Sequence, residues 1–126
     1  MIIVDTSVWI EFLKHNSPIF FLLEALLENR QVLGVEWVFG ELLQGALNKK
    51  DREIIKSYWH NIPKGDEQGI WIEAGQYSSE HKLIARGVGL IDAAIVCAAR
   101  RNNAQIWSLD KKLNRLLQAH EVFTGA

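Results

Sequence analysis

The chain has 126 residues, a size that predicts a single domain over residues 1–126. Apolar residues make up 48% of the chain and charged residues 23%, a composition that excludes disordered and collagen-like chains. The lone Cys97 excludes an internal disulfide framework, and the net charge of −1 gives no overall positive field that would attract nucleic acid.

No targeting or membrane segment is visible in the sequence. The N-terminal residues lack both a basic region and a long apolar region, and no apolar run approaches the roughly 20 residues of a membrane span. We therefore expect a cytoplasmic protein with no membrane association.

Short β-branched runs alternate with segments whose apolar residues recur at helical spacing. Thr6 or Ser7 is expected to cap the first helix, and Ser17 the second, with Pro18 at its first position. In chain order the predicted elements are a strand at 2–4, helices at 6–13 and 18–27, a strand at 31–35, helices at 37–47 and 51–59, a minimal edge strand at 62–63, helices at 67–86 and 91–101, a strand at 105–108, a helix at 110–117 and a last strand at 121–123.

This alternation predicts an α/β fold. Right-handed crossovers would place helices on both faces of a central, mainly parallel sheet of about four or five strands, giving three layers in the order α/β/α. In such sheets the functional crevice lies at the carboxyl ends of the strands.

Four acidic residues lie at strand–helix junctions on that edge: Asp5, Glu41, Asp92 and Asp110. Converging carboxylates repel one another and raise each other's pKa, and a divalent cation relieves the repulsion. Oxygen ligands favour Mg²⁺ or Mn²⁺. Each acid also has a simpler interpretation, because acids at helix starts are common caps and an acid inside a helix is often only solvated.

Four segments resemble the successive motifs of PIN-domain ribonucleases, and are most similar to the VapC-type toxins of toxin–antitoxin pairs. They are IVDTSVWI at 3–10, GELLQG at 40–45, LIDAAI at 90–95 and WSLD at 107–110. The resemblance covers nearly the whole chain, and its first two motifs are the more specific ones.

The resemblance implies a PIN-like fold and a Mg²⁺- or Mn²⁺-dependent endoribonuclease centre made of Asp5, Glu41, Asp92 and Asp110. It also implies that Thr6 and Ser108 are supporting hydroxyl positions, which would orient a carboxylate or a metal-bound water. The partners that it implies are an RNA substrate, a second copy of the chain in a homodimer, and a cognate antitoxin whose tail lies across the acidic groove.

Basic residues are concentrated in the segment 86–115, which carries six basic residues against two acidic ones. They could contact RNA phosphates beside the acidic site, although each could equally belong to a solvated helix face. These residues are Arg86, Arg100, Arg101, Lys111, Lys112 and Arg115.

Two alternatives to a nuclease remain open at this stage. A phosphatase of the HAD type also begins with a strand that ends in aspartate, but it normally has a second aspartate where this chain has Ser7. A non-catalytic PIN-like module that binds RNA or protein is the other alternative, and the presence of all four acids argues against it.

Overall fold

A computed structural model of the chain describes residues 1–125. Two strands, seven α-helices and two short 3₁₀ helices are assigned within these residues. In order they are β1 (Ile2–Val4), α1 (Thr6–Leu13), α2 (Ile19–Glu28), α3 (Glu36–Gln44), α4 (Lys49–Asn61), α5 (Ile70–Glu80), a 3₁₀ helix at Ile84–Arg86, α6 (Leu90–Arg101), β2 (Gln105–Trp107), α7 (Lys111–Asn114) and a 3₁₀ helix at Ala119–Glu121.

The sheet is parallel and very narrow. Strand β1 pairs with β2, with Ile3 opposite Ile106, and isolated parallel bridges extend the pair on both sides. Across the sheet the order is Lys64, the segment 32–34, β1, β2 and Val122. The expected parallel α/β architecture is therefore confirmed.

Three of the five predicted strands are reduced to isolated bridges. The segment 31–35 forms bridges at two residues, 62–63 is replaced by one bridge at Lys64, and 121–123 retains only Val122. Pro63 has no N–H to donate and only accepts a bond from Gly34 N at 2.7 Å. Residues 119–121 form a 3₁₀ helix instead, which leaves little extended chain before Val122.

Helices cover both faces of the sheet. Helix α6 is buried from Ala93 to Ala99, and its small side chains let it pack closely against β1, β2 and α5. On α1, Trp9 is 1% exposed and lies edge-on to Phe12 and Phe39, which fixes α1 against α3. The core therefore lies on both sides of two short strands that are apolar except for Gln105.

Three predicted helices are shorter in the structure. The helix expected at 37–47 ends at Gln44, with Gly45 in the C-cap position. The helix expected at 67–86 ends at Glu80, because the chain reverses through Lys82 at φ 52° and buries Leu83 completely. The helix expected at 110–117 ends at Asn114, whose side-chain amide donates to Ser108 O at 3.0 Å.

Helix starts also differ from the expected caps. Asp5 rather than Thr6 or Ser7 caps α1, and Pro18 occupies the cap position of α2, so that helix begins at Ile19. Helix α4 begins before Asp51, because the side chain of Asn48 accepts a bond from Asp51 N at 2.9 Å. None of the helices within residues 1–125 has both the length and the apolar character needed to cross a membrane.

Candidate active site

Asp5 lies at the carboxyl end of β1, where the chain turns directly into α1. Its backbone N–H donates to Trp107 O at 2.9 Å, which continues the β1–β2 ladder by one bond. Its Oδ1 accepts the N–H of Thr6 at 2.8 Å and so caps α1. The side chain is nearly buried, with 9% of the residue exposed. Backbone pairing and capping together fix Asp5 at this edge of the sheet.

Two serine hydroxyls hold the other oxygen of Asp5. Ser7 Oγ donates to Asp5 Oδ2 at 3.0 Å, and Ser108 Oγ donates to the same oxygen at 2.7 Å. Each hydroxyl accepts in turn from the chain after β2: Leu109 N donates to Ser7 Oγ at 3.1 Å, and Asp110 N donates to Ser108 Oγ at 3.0 Å. The network ties the ends of both strands around one carboxylate.

Thr6 connects α1 with α3. Its Oγ1 donates to Glu41 Oε1 at 2.7 Å, across 35 residues of sequence. Glu41 lies in the middle of α3, where a helical acid is usually solvated. The bond to Thr6 instead directs the Glu41 carboxylate toward the carboxyl edge of the sheet.

Asp92 and Asp110 complete the acidic group. Asp92 lies in the first turn of α6, and Asp110 caps α7 by accepting the N–H of Lys112 at 2.8 Å. Burial, followed by the negative charges of Asp110, Asp5 and Glu41, raises the pKa of Asp92 to about 6. Because Asp92 responds to the charge of all three other acids, the fold brings the four carboxylates into one electrostatic neighbourhood.

These carboxylates have no internal cation to neutralise them. Within residues 1–125, no Lys or Arg forms an ion pair with any of the four acids. The described part of the chain also contains no set of three or more His, Cys, Asp or Glu side chains already gathered to chelate one ion. Mg²⁺ keeps several waters and commonly binds proteins through only one or two carboxylates, so this donor set still fits it.

Four of the six basic residues expected near the site are exposed there. Lys111, Lys112 and Arg115 follow Asp110 directly. Arg86 belongs to the turn that touches α7, because a Cβ added to the neighbouring Gly87 would lie 3.1 Å from Lys112 Nζ. These four residues form a basic patch beside the acidic group.

Arg100 and Arg101 do not belong to this patch. They lie at the far end of α6, about 12 Å along the helix axis from Asp92. Arg100 binds both carboxylate oxygens of Glu121, at 2.8 and 3.2 Å, and Arg101 pairs with Glu73. Both guanidinium groups therefore form tertiary ion pairs, and their contact with RNA stays a prediction.

Two residues outside the expected site set also organise the site. Ser7, expected as a possible helix cap and as the departure from the HAD-type motif, bonds both Asp5 and the chain after β2. Asn114 accounts for the abrupt end of α7 through its bond to Ser108 O. The position of Ser7 two residues after Asp5 was the available signal, because such a hydroxyl can reach back to the preceding carboxylate.

The fold and the site together define a parallel α/β domain with an acidic centre at the carboxyl ends of its strands. The chain matches the family model described as PIN domain over residues 2–117, and it belongs to this family. No curated protein matches the sequence. Among solved structures, the chain is similar to the crystal structure of FitAcB from Neisseria gonorrhoeae. The two are 22% identical with a TM-score of 0.62, and the match covers 97% of this chain and 94% of the other.

Proposed function

We propose that residues 1–126 form a single PIN domain that hydrolyses RNA phosphodiester bonds with the help of Mg²⁺ or Mn²⁺. The observation that carries the proposal is the convergence of four carboxylates without an internal cation at the carboxyl edge of the sheet. Membership of the PIN family supports it, because all four acids lie within the matched residues 2–117 and in the segments that resemble the motifs of PIN-domain ribonucleases.

Asp5 and Asp92 are the first candidates for metal ligands, and Glu41 and Asp110 complete the acidic group. A bound divalent ion lowers the pKa of a coordinated water and neutralises charge on phosphate oxygens. Ser7 and Ser108 hold Asp5 Oδ2, which leaves the Asp5 carboxylate only a narrow range of orientations. Because water rather than the ribose hydroxyl attacks, we expect products with 5′-phosphate and 3′-hydroxyl ends.

The basic patch indicates on which side of the acidic group the RNA strand would lie. Arg86, Lys111, Lys112 and Arg115 lie on one side of the acidic group, where they would contact phosphates that flank the cleaved bond. Contacts of this kind position a strand without reading its sequence, so they predict salt-dependent binding.

We further propose that the protein is the toxin of a toxin–antitoxin pair, acts in the cytoplasm and forms a homodimer. The support is the order of its four motifs, which resembles that of VapC-type toxins. The cognate antitoxin would place its tail across the acidic groove, where a cationic group would find four carboxylates that no side chain of residues 1–125 neutralises.

Cleavage of end-labelled single-stranded RNA by purified protein tests the proposal. We expect cleavage with Mg²⁺ or Mn²⁺, none in a chelator, and none for Asp5→Asn or Asp92→Asn. Glu28→Gln, an exposed carboxylate at the end of α2, is the matched control and should cleave normally.

The same preparations separate the alternatives. Hydrolysis of a phosphomonoester without RNA cleavage would overturn the nuclease in favour of a phosphatase. Binding of RNA without cleavage at any metal concentration would instead indicate a non-catalytic module.

A further inference from the structure

A cavity apart from the acidic group lies between α3 and the start of α5. It measures about 330 Å³, and none of the four acids of the active site lines it. Its walls are two tryptophans, two glutamates, one isoleucine and one glycine: Trp37, Trp71, Glu36, Glu67, Ile70 and Gly40.

The two tryptophans form an open aromatic corner. The rings of Trp37 and Trp71 have centroids 5.4 Å apart and planes at 60°, and Trp71 is 44% exposed. A Cβ at Gly40 would have no atom within 4 Å, so the approach along α3 is open. A planar group can therefore reach an indole face in this corner from solvent.

The two glutamates bring negative charge to the same corner. Both oxygens of Glu67 accept the backbone N–H of Glu36, at 2.9 and 3.0 Å, which satisfies the start of α3. A carboxylate has about four acceptor positions, so Glu67 retains capacity for a further donor. Burial raises the pKa of Glu67 and the charge of Glu36 adds to this, although the bond from the Glu36 N–H acts against it. The single N–H at the start of α3 therefore offsets only part of the negative charge of Glu67.

Two partly exposed aromatic rings elsewhere in the chain are matched with cations. Lys64 Nζ lies 4.5 Å from the ring centroid of Trp59, and the guanidinium of Arg100 lies 5.5 Å from that of Tyr77. No Lys or Arg within residues 1–125 forms an ion pair with Glu36 or Glu67 or lies over the Trp37 and Trp71 rings. The Trp37–Trp71 corner therefore has aromatic rings and carboxylates that would attract a cation, and no cation of residues 1–125 contacts them.

We propose that the Trp37–Trp71 cavity binds an arginine side chain presented by a partner protein. A guanidinium group is planar, stacks on indole rings and donates two parallel bonds to a carboxylate, whereas an ammonium group lacks this shape. The occupant is thus the side chain of an arginine residue of a partner protein, whose positive charge complements Glu36 and Glu67.

The test uses the indole N–H signals of the five tryptophans in a ¹H–¹⁵N NMR spectrum, assigned with single Trp→Phe variants. The probes are N-acetyl-arginine amide and its neutral analogue N-acetyl-citrulline amide. We expect the arginine probe to shift the signals of Trp37 and Trp71 saturably and to leave Trp9 and Trp107 unchanged, because both are buried elsewhere. The citrulline probe should bind at least about tenfold more weakly than the arginine probe.

Two variants identify the acids. Glu36→Gln and Glu67→Gln should each weaken binding of the arginine probe about tenfold. The Glu36 side chain takes no part in the start of α3, so its variant remains informative if Glu67→Gln disturbs the helix. Glu80→Gln, at the other end of α5, is the matched control and should bind normally.

Three outcomes would overturn the proposal. One is an equal response to arginine and citrulline, and another is the absence of a saturable shift with the arginine probe. The third is a change of the Trp37 and Trp71 signals on dilution without a response to arginine, which would mean that a second copy of the chain covers the tryptophans. None of these outcomes depends on nuclease activity, so each is independent of the proposed function.

Discussion

Replacement of Asp92 by asparagine tests whether the acidic group opposes folding of the metal-free protein. Burial and the three neighbouring acids raise the pKa of Asp92 from 3.8 to about 6, so its ionised form is disfavoured in the folded state. Asp92→Asn keeps the shape of the side chain and cannot ionise. The variant should therefore be more stable than the wild type wherever Asp92 is charged.

The magnitude follows from the pKa. A rise from 3.8 to about 6 corresponds to about 3 kcal/mol. Because Asp92 is only half-buried, solvent screening reduces this gain to about 1.5 kcal/mol. For a raised carboxyl pKa the folded state holds the proton more tightly, so stability falls as pH rises from about 4 through 6. The advantage of the variant should thus be near zero below pH 3.8 and complete above about pH 7.

Urea denaturation in a chelator, at steps from pH 3.5 to pH 8, measures this difference. At pH 8 the expected gain in the free energy of unfolding is about 1.5 kcal/mol, and in a parallel thermal denaturation Tm should rise by about 5 °C for a domain of this length. Saturating Mg²⁺ should reverse the order, because a ligand that binds only the folded wild type adds about 2.7 kcal/mol at a hundred times its Kd. A variant less stable than the wild type at pH 8 without metal would refute the reasoning and make Asp92 a structural residue.

Three further substitutions test the contacts around the site and the core. Ser108→Ala removes the donor to Asp5 and the acceptor of a backbone N–H, so we expect a loss of about 1–3 kcal/mol in urea denaturation; an unchanged midpoint would contradict the network. The ion pair with Arg100 lowers the pKa of Glu121, so in the wild type this pair stabilises the fold above pH 4.5. The Glu121→Gln variant weakens the pair. We expect a loss of about 1 kcal/mol at pH 7 that disappears toward pH 3, and a loss independent of pH would contradict it. Gly34→Ala places a methyl group 2.8 Å from Ile62 Cδ1 and should lower the free energy of unfolding by about 1–3 kcal/mol. An unchanged Tm would show that the Ile62 side chain moves aside without cost.

The strands that lie at the centre of the sheet were predictable from local sequence. Segment 2–4 is a short apolar run and segment 105–107 is apolar after Gln105, and burial on both faces favours that pattern. The outer segments were not predictable as bridges, because their pairing depends on how much extended chain remains between helices. The early end of α5 likewise depends on burying Leu83, which is a tertiary contact.

The acids could be proposed from their positions after strands and at helix starts, since chain topology carries such positions to one edge. The connections between them could not. Thr6 reaches Glu41 across 35 residues and Ser108 reaches Asp5 across 103, and no local pattern encodes either bond. Arg100 and Arg101 show the opposite case, because the local excess of charge suggested a nucleic-acid contact and gave no sign of the tertiary ion pairs that both side chains form.

The sequence by itself determined the α/β class, the central strands and the family motifs, because these follow from side-chain periodicity and from residue types at fixed spacings. Only the tertiary structure decided which basic residues are free, which hydroxyls hold Asp5, and that Trp37 and Trp71 meet Glu36 and Glu67 in one cavity. The physical reason is that hydrogen bonds, ion pairs and aromatic contacts act over a few ångströms in space, and folding sets those distances between residues that are far apart in the chain.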